Sequence, residues 1–160
     1  MFYEKVFREL NARGVRYVVV GGVALVLHGI IRLTADLDLI VDLSPENLRL
    51  FLETLKSLGF RPRLPITLEE ILDPEKRSLW RREKNLVMIS FYHPQNLLYQ
   101  VDFFAEEPLP FTEIAQKIIW KEARDIKIPV ASKELLKKLK TLSGRPQDLK
   151  DLEALEDLDE

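Results

Sequence analysis

The stretch GGVALVLHGIIRLTADLDLIVD occupies residues 21–42 and combines a glycine pair, a short apolar segment and alternating aspartates. It follows Val15–Val20, a β-branched and aromatic run that predicts a strand. Val23–His28 predicts a short apolar helix, which Gly29 closes. Asp36–Asp42 alternates acidic and apolar residues, the period of a strand with one covered face. The stretch therefore predicts the order strand, glycine turn, helix, strand.

The alternating aspartates are the first candidate for chemistry. On a strand, Asp36 and Asp38 would point to the same face about 6.5 Å apart. Asp102 lies in a second predicted strand, Leu98–Phe104, where an unpaired charge among apolar neighbours would be costly. These three carboxylates suit an all-oxygen magnesium site that takes its remaining ligands from water and phosphate. The alternative for Asp36 and Asp38 is a solvated strand face, and the alternative to a metal beside Asp102 is an arginine partner.

The residues around the aspartates also allow two interpretations. Gly21 and Gly22 either form a tight turn that needs positive φ or let backbone N–H groups approach a phosphate at a helix N-terminus. Arg32 is either a surface arginine or a partner for a triphosphate or an aspartate, and Thr34 suits a strand. His28 is either a packed or capping histidine or a catalytic residue. His93, in a turn, is interpreted as structural.

The rest of the chain predicts one α/β (α+β) domain over residues 1–160, with a mixed central β-sheet flanked by helices. Its core covers about 1–104, an irregular helical insertion about 61–84, and a C-terminal helical part about 132–158. The elements expected outside the quoted stretch are an N-terminal helix ending near Gly14, a helix capped by Ser44, short helices starting at Thr67 and Asp73, strands over 86–92, 98–104 and 126–130, and helices starting at Ser132 and Pro146.

Composition limits the classes of function. A chain of 160 residues that is 46% hydrophobic suits one compact domain. Its 24 basic and 26 acidic residues leave a net charge of −2, so nucleic-acid binding would need a local patch. The best such patch is Arg77, Arg81, Arg82 and Lys84. The lack of cysteine excludes zinc-thiolate sites and cysteine nucleophiles, and the short apolar runs predict a cytoplasmic protein with no membrane partner.

In these residues the chain resembles the nucleotidyltransferase superfamily with the polymerase-β-like fold, in particular its small prokaryotic members related to the AbiEii-type toxins. The resemblance rests on Gly21-Gly22, Ala24, His28-Gly29, Arg32-x-Thr34-x-Asp36-x-Asp38 and Asp102, and extends to the stretch from Lys140 to Asp148 with Asp151-Leu152. One departure is Gln147, where the family often has a lysine.

The resemblance implies a role for each matched residue. The glycine pair would cradle phosphates, and Asp36 and Asp38 would bind two magnesium or manganese ions. Asp102 would ligate one ion and could help to deprotonate the acceptor hydroxyl. The implied reaction transfers NMP from an NTP, expected to be ATP, with release of pyrophosphate. Lys140 and Arg145 would be candidates for triphosphate or acceptor binding; the alternative is a solvated face that balances Glu134 and Asp148.

Three functions remain open on the sequence. The first is an active enzyme whose acceptor is tRNA, a protein side chain or a small molecule. The second is a nucleotide- or partner-binding module of the same fold without catalysis; the presence of all three acids favours the enzyme. The third is one half of a toxin–antitoxin pair, masked by a helical antitoxin-type partner.

Overall fold

A mixed sheet forms the centre of the protein. The computed structural model describes residues 3–143 and 146–159. Within that part of the chain the sheet has seven strands in the order β3-β4-β5-β2-β1-β7-β6. The strands are β1 Tyr17–Val20, β2 Leu37–Val41, β3 Arg61–Pro62, β4 Met88–His93, β5 Asn96–Phe104, β6 Ile118–Ala123 and β7 Ile126–Ala131. The pairs β2–β5 and β1–β7 are parallel, and the others are antiparallel.

Helices flank this sheet, as the α/β prediction requires. They are α1 Glu4–Ala12, α2 Gly21–Leu27, α3 Pro45–Ser57, α4 Leu68–Leu72, α5 Pro74–Lys84, α6 Phe111–Ala115, α7 Lys133–Ser143 and α8 Pro146–Asp159. None of the helices in the described residues is long and apolar enough to cross a membrane.

The side chains of β2 alternate between two faces of the sheet; the face that carries Asp38 also carries Ile40, which is fully buried, so the prediction of one covered face is wrong. Leu37, Leu39 and Val41 are buried, and Leu39 is the register partner of Phe103 on β5. Phe103 packs edge-on against Phe51 of α3, with ring centroids 5.1 Å apart. Because successive residues of a strand point to opposite faces, the aspartates of β2 and β5 lie on the face away from α3.

Several predicted elements are confirmed with small shifts. Thr67 and Glu70 form the expected capping box, and the Asp73 side chain accepts a hydrogen bond from the backbone N–H of Glu75 at the start of α5. The helix after the glycine pair begins at Gly21 itself rather than at Val23. Ser44 is the N-cap residue of α3 and Pro45 follows it, as predicted, but the Ser44 side chain makes no capping hydrogen bond, and its Oγ instead accepts one from Arg16.

The sequence analysis missed one hairpin. Ile126–Ala131 is a strand, as expected, but it pairs with the unpredicted strand Ile118–Ala123. Arg124 and Asp125, which join them, both have positive φ, 48° and 60°. Turns of this kind are usually marked by Asn-Gly or Asp-Gly, and Arg-Asp gives no such signal. The sheet consequently continues past residue 104.

Candidate active site

Two of the three predicted carboxylates lie side by side. Strands β2 and β5 run parallel, and Asp38 and Asp102 are direct register partners. Residues that are level on neighbouring strands point to the same face, so the two carboxyl groups meet on the face of the sheet away from α3. Asp36 precedes β2, which begins at Leu37, and its side chain is exposed. The structure thus places a carboxylate pair on the sheet and Asp36 just before the first residue of β2.

The carboxylates of this group repel one another. Burial, the charges of Asp102 and Asp36, and a hydrogen bond with Asp102 raise the pKa of Asp38 to about 7; the charge of Lys140 opposes this shift. Loss of solvent and the charge of Asp102 also raise the pKa of Asp36, against an opposing effect of Arg63. Carboxyl groups with raised pKa values in such a cluster are under-compensated in charge, and a bound cation would relieve that deficit.

The donor set suits a hard divalent ion, although the ligands are not gathered around one point. Among residues 3–143 and 146–159, no group of three or more aspartate, glutamate or histidine side chains is arranged so that it could hold a metal ion. What the site offers is oxygen donors and excess negative charge, both of which magnesium prefers. Surface hollows lie along α5 and beside β3, and neither is lined by these aspartates. The oxygen donors and the negative charge therefore identify this site, and cavity volume does not.

The glycine pair lies directly against the carboxylates. Gly21 has φ +68°, and a Cβ atom added there would lie 2.2 Å from Oδ2 of Asp38. A Cβ atom added to Gly22 would lie 2.4 Å from Oγ1 of Thr34. Contacts below 3.0 Å require a neighbour to move, so any side chain here would displace Asp38 or Thr34. Gly21 thus has the positive φ of the tight-turn interpretation and lies against Asp38, while phosphate binding at this turn stays a prediction.

Arg32 and Lys140 meet at one carboxylate of the C-terminal helix. Arg32 Nη1 donates to Asp151 Oδ1, and Lys140 Nζ donates to Asp151 Oδ2, each at 2.8 Å. Lys140 Nζ also contacts Asp148 Oδ1 at 3.2 Å, and Gln147 donates to Asp151 Oδ1 at 3.2 Å. Both aspartates are buried. The pairing of Lys140 with Asp148 agrees with the balancing-charge alternative, except that the group is buried rather than solvated.

Arg145, the other predicted cation of this region, lies outside the described residues. Its proposed contact with triphosphate or acceptor stays a prediction. Glu134, which was considered as a partner for these cations, forms an ion pair with Lys117 at 3.3 Å.

Gln100 and Arg63 form a series of hydrogen bonds that supports Asp102, and neither residue was predicted from the sequence. Gln100 Nε2 donates to both carboxylate oxygens of Asp102, at 3.0 and 3.3 Å. Arg63 donates to Gln100 Oε1 at 2.9 Å and lies over the ring of Tyr92, 5.1 Å from its centroid. Because Gln100 and Asp102 are two residues apart on β5, the strand period could have indicated that they share a face. No local signal pointed to Arg63.

Tyr3, directly before α1, links the segment that leads into β2 with β5. Its hydroxyl donates to the backbone carbonyl of Ala35 and accepts a hydrogen bond from the backbone N–H of Gln100 at 3.2 Å. Burial, together with the charges of Asp36 and Asp102, raises the pKa of this hydroxyl, against a backbone hydrogen bond with Gln100. Tyr3 therefore stays neutral and fixes the chain immediately before Asp36.

Both histidines contact backbone carbonyls. His28 Nε2 lies 2.8 Å from the carbonyl oxygen of Ala131, which agrees with the packing interpretation. His93 Nε2 lies 3.1 Å from the carbonyl oxygen of Leu58, and the ring packs edge-on against Phe60.

The predicted basic patch for RNA is wrong in one member. Arg77 is only 6% exposed, and its guanidinium donates to the carbonyl of Ile71. Arg81 and Arg82 bond to Asn85 and to the carbonyl of Ser78 within and just after α5. The surface patch is thereby reduced to Arg81, Arg82 and Lys84.

Three solved structures share the fold over nearly the whole chain. A Thermotoga maritima protein, TM1012, assigned as a nucleotidyltransferase, has a TM-score of 0.61 and 16% identity, with 96% of this chain and 89% of that chain covered. The lincosamide antibiotic adenylyltransferase LnuA, solved with lincomycin bound, gives 0.61 and 17%, covering 98% and 94%. ANT(2″)-Ia, in complex with adenylyl-2″-tobramycin, gives 0.57 and 14%, covering 98% and 92%.

The protein therefore has the nucleotidyltransferase fold. At this level of identity the likeness confirms the resemblance in fold and architecture, while the AbiEii-type subgroup stays a prediction. No protein-family model and no curated protein matches the chain.

Proposed function

We propose that the protein is a nucleotidyltransferase that uses Mg²⁺ or Mn²⁺ to transfer NMP from an NTP, with ATP as the first candidate, to an acceptor hydroxyl. The observation that carries the proposal is the pair Asp38 and Asp102, side by side, short of compensating charge and in contact with a glycine turn. The shared fold with solved nucleotidyltransferases supports the same reaction class.

Asp38 and Asp102 are the residues that would hold the metal, with Asp36 joining them from the edge of the strand. A bound divalent ion would supply charge stabilisation for the attacking and leaving oxygens of an in-line displacement at the α-phosphorus. Asp36 is exposed and ahead of β2, so its side chain can turn towards the pair without breaking a strand hydrogen bond.

The protein residues divide the remaining work. Gly21 and Gly22 have no side chains that would displace Asp38 and Thr34, so the turn keeps Asp38 in place beside the phosphate group that would bind here. Asp102, oriented by Gln100, accepts the proton of the acceptor hydroxyl as that oxygen bonds to the α-phosphorus. The bond from the α-phosphorus to the bridging oxygen breaks, and pyrophosphate leaves with the electron pair.

A small hydroxyl-bearing molecule is the acceptor that we propose first. LnuA and ANT(2″)-Ia, which share the fold, carry an antibiotic and an adenylylated antibiotic respectively. The chain has a net charge of −2, and burial of Arg77 reduces its basic patch, so the electrostatics give little support to a large RNA acceptor. A protein acceptor is the second candidate, and the same experiment tests it. A toxin-like role masked by an antitoxin-type partner stays a prediction.

The test is transfer of label from each α-labelled nucleoside triphosphate, with Mg²⁺ or Mn²⁺, into small-molecule hydroxyl compounds, total tRNA and the protein itself. Asp38→Asn and Asp102→Asn should each reduce transfer by at least about a hundredfold. Asp42→Asn is the matched control, because Asp42 is paired with Arg16 at 2.7 Å and lies just after the same strand.

The fraction that becomes labelled would identify the acceptor class. Metal-dependent nucleotide binding without transfer into any fraction would favour the nucleotide-binding module without catalysis. Transfer that survives in both Asp38→Asn and Asp102→Asn would contradict the proposed site.

A further inference from the structure

Asp151 joins two parts of the chain that both reach the candidate site. One of its carboxylate oxygens binds Arg32, in the segment between α2 and β2, and the other binds Lys140 of α7, each at 2.8 Å. Asp151 itself belongs to α8 and is 6% exposed. A single buried carboxylate with one cation on each oxygen fixes the distance between those cations far better than a solvated ion pair would.

Both cations lie next to groups of the candidate site. The Nε atom of Arg32 is 3.7 Å from the place where a Cβ atom on Gly22 would stand, so Arg32 flanks the glycine turn. The charge of Lys140 acts on Asp38. Asp151 consequently connects the glycine side of the site with the carboxylate side.

The pairing is strong enough to hold the cations when no nucleotide is bound. Burial alone would raise the pKa of Asp151, but the hydrogen bonds and charges of Lys140 and Arg32 lower it below its ordinary value. The Lys140 side chain is only 13% exposed, and Asp148 contacts the same ammonium group. Asp151 is therefore ionised at neutral pH, and its partners are ordered in advance.

We propose that Asp151 is a positioning residue that holds Arg32 and Lys140 at the spacing the triphosphate needs. This rests on the proposed function. Arranging two long cationic side chains before binding removes the entropy cost of ordering them, so the effect falls on nucleotide affinity. Asp151 itself does not touch the nucleotide.

The experiment compares ATP binding, in the presence of Mg²⁺, with turnover in four proteins. These are the wild type, Asp151→Asn, Asp151→Glu and the control Glu153→Gln, which removes a carboxylate from an exposed position on the same helix. Asp151→Asn should weaken ATP affinity about tenfold with kcat changed less than about twofold, Asp151→Glu about threefold, and Glu153→Gln not at all. Asp151→Glu keeps the charge and moves the carboxylate, so it remains informative should Asp151→Asn fail to fold.

A second measurement does not need nucleotide. The rate at which an amine-reactive reagent modifies Lys140, followed by mass spectrometry below the melting temperature, should rise in Asp151→Asn and stay at the wild-type value in Glu153→Gln. Unchanged ATP affinity in both Asp151 variants would overturn the positioning role. A wild type that binds no triphosphate would overturn the proposed function, and this role with it, even where Lys140 labelling shows that Asp151 holds the lysine.

Discussion

Two pairs of aspartates differ in charge balance: Asp38 with Asp102 in the candidate site, and Asp148 with Asp151 on α8. Asp38 and Asp102 share the sheet face, and the pKa of Asp38 is raised to about 7. Asp148 and Asp151 are buried on α8 with Lys140 between them, and the pKa of Asp151 is lowered. Among the described residues, direct ion pairs with lysine or arginine reach the second group, whereas Lys140 acts on Asp38 through its charge alone. The first group is therefore the one that calls for a cation from outside.

Burial does not explain the difference. Asp151 is buried and Asp38 is partly buried, and loss of solvent acts to raise the pKa of both carboxyl groups. Their neighbours differ: further carboxylates add to the effect of burial on Asp38, whereas Lys140 and Arg32 outweigh the effect of burial on Asp151.

Removing each carboxylate should change stability in opposite directions. Asp151→Asn leaves buried cations without their partner and should lower the free energy of unfolding by about 2–3 kcal/mol at pH 8. Because the folded pKa of Asp151 is lowered, its stabilisation is present above the ordinary pKa of 3.8 and is lost as pH falls through the folded value. Thermal melts of Asp151→Asn and wild type between pH 3 and 8 check this.

Asp38→Asn should stabilise the protein at pH 8. The folded pKa of Asp38 is raised from 3.8 to about 7, so its favourable contribution is fully present below 3.8 and is lost as pH rises through 7. An asparagine, which cannot ionise, should therefore raise the melting temperature at pH 8, and the gain should disappear towards pH 4. An Asp38→Asn protein less stable than wild type at pH 8 would break the comparison.

The glycine turn can be tested with a matched pair of substitutions. Gly21 and Gly14 have nearly the same φ, +68° and +71°, but a Cβ atom on Gly14 would meet nothing within 4 Å. Both Gly→Ala changes should therefore cost about 1–2 kcal/mol of backbone strain. Only Gly21→Ala displaces the Asp38 carboxylate, and it should lower transfer at least about tenfold more than Gly14→Ala does. Equal activities in the two variants would show that the turn at Gly21 does not position Asp38 for transfer.

Added metal should stabilise the folded protein by binding to Asp38 and Asp102. Mg²⁺ or Mn²⁺ at ten times its dissociation constant should add about 1.4 kcal/mol to the free energy of unfolding. For a chain of this size that is a rise in melting temperature of roughly 3–6 °C. Asp38→Asn should lose the rise, and Asp151→Asn should keep it. The same increase in all three proteins would indicate ions bound elsewhere on the surface.

The sequence predicted the local elements of the site better than its assembly. The order strand, glycine turn, helix, strand over residues 15–42 is confirmed, because periodicity and glycines are local signals. The spacing of Asp36 and Asp38 predicted one shared strand face, but β2 begins at Leu37, so Asp36 lies before the strand. Strand ends depend on the neighbouring strands, which a single segment does not reveal.

Long-range partners were the part that could not be predicted. Asp102 was singled out by its apolar strand and by the family resemblance, but its register with Asp38 depends on a parallel pairing across 64 positions. Asp148 was weighed as a balancing charge for Lys140 and Arg145, whereas the bridge from Asp151 to Arg32 spans 119 positions. Ion pairs of this kind follow from helix packing, for which charge patterns carry no specific signal.

The smallest expected effect concerns the support of Asp102. Gln100→Ala removes the amide that donates to both oxygens of Asp102 and separates Arg63 from the site. Loss of these hydrogen bonds should raise the reaction barrier by about 1 kcal/mol and lower transfer about fivefold, with a smaller change in nucleotide affinity, because Asp102 would act on the acceptor hydroxyl as well as on the metal. Gln95→Ala, at the exposed turn between β4 and β5, is the control. A drop in nucleotide affinity as large as the drop in transfer would indicate that Gln100 acts through metal binding alone.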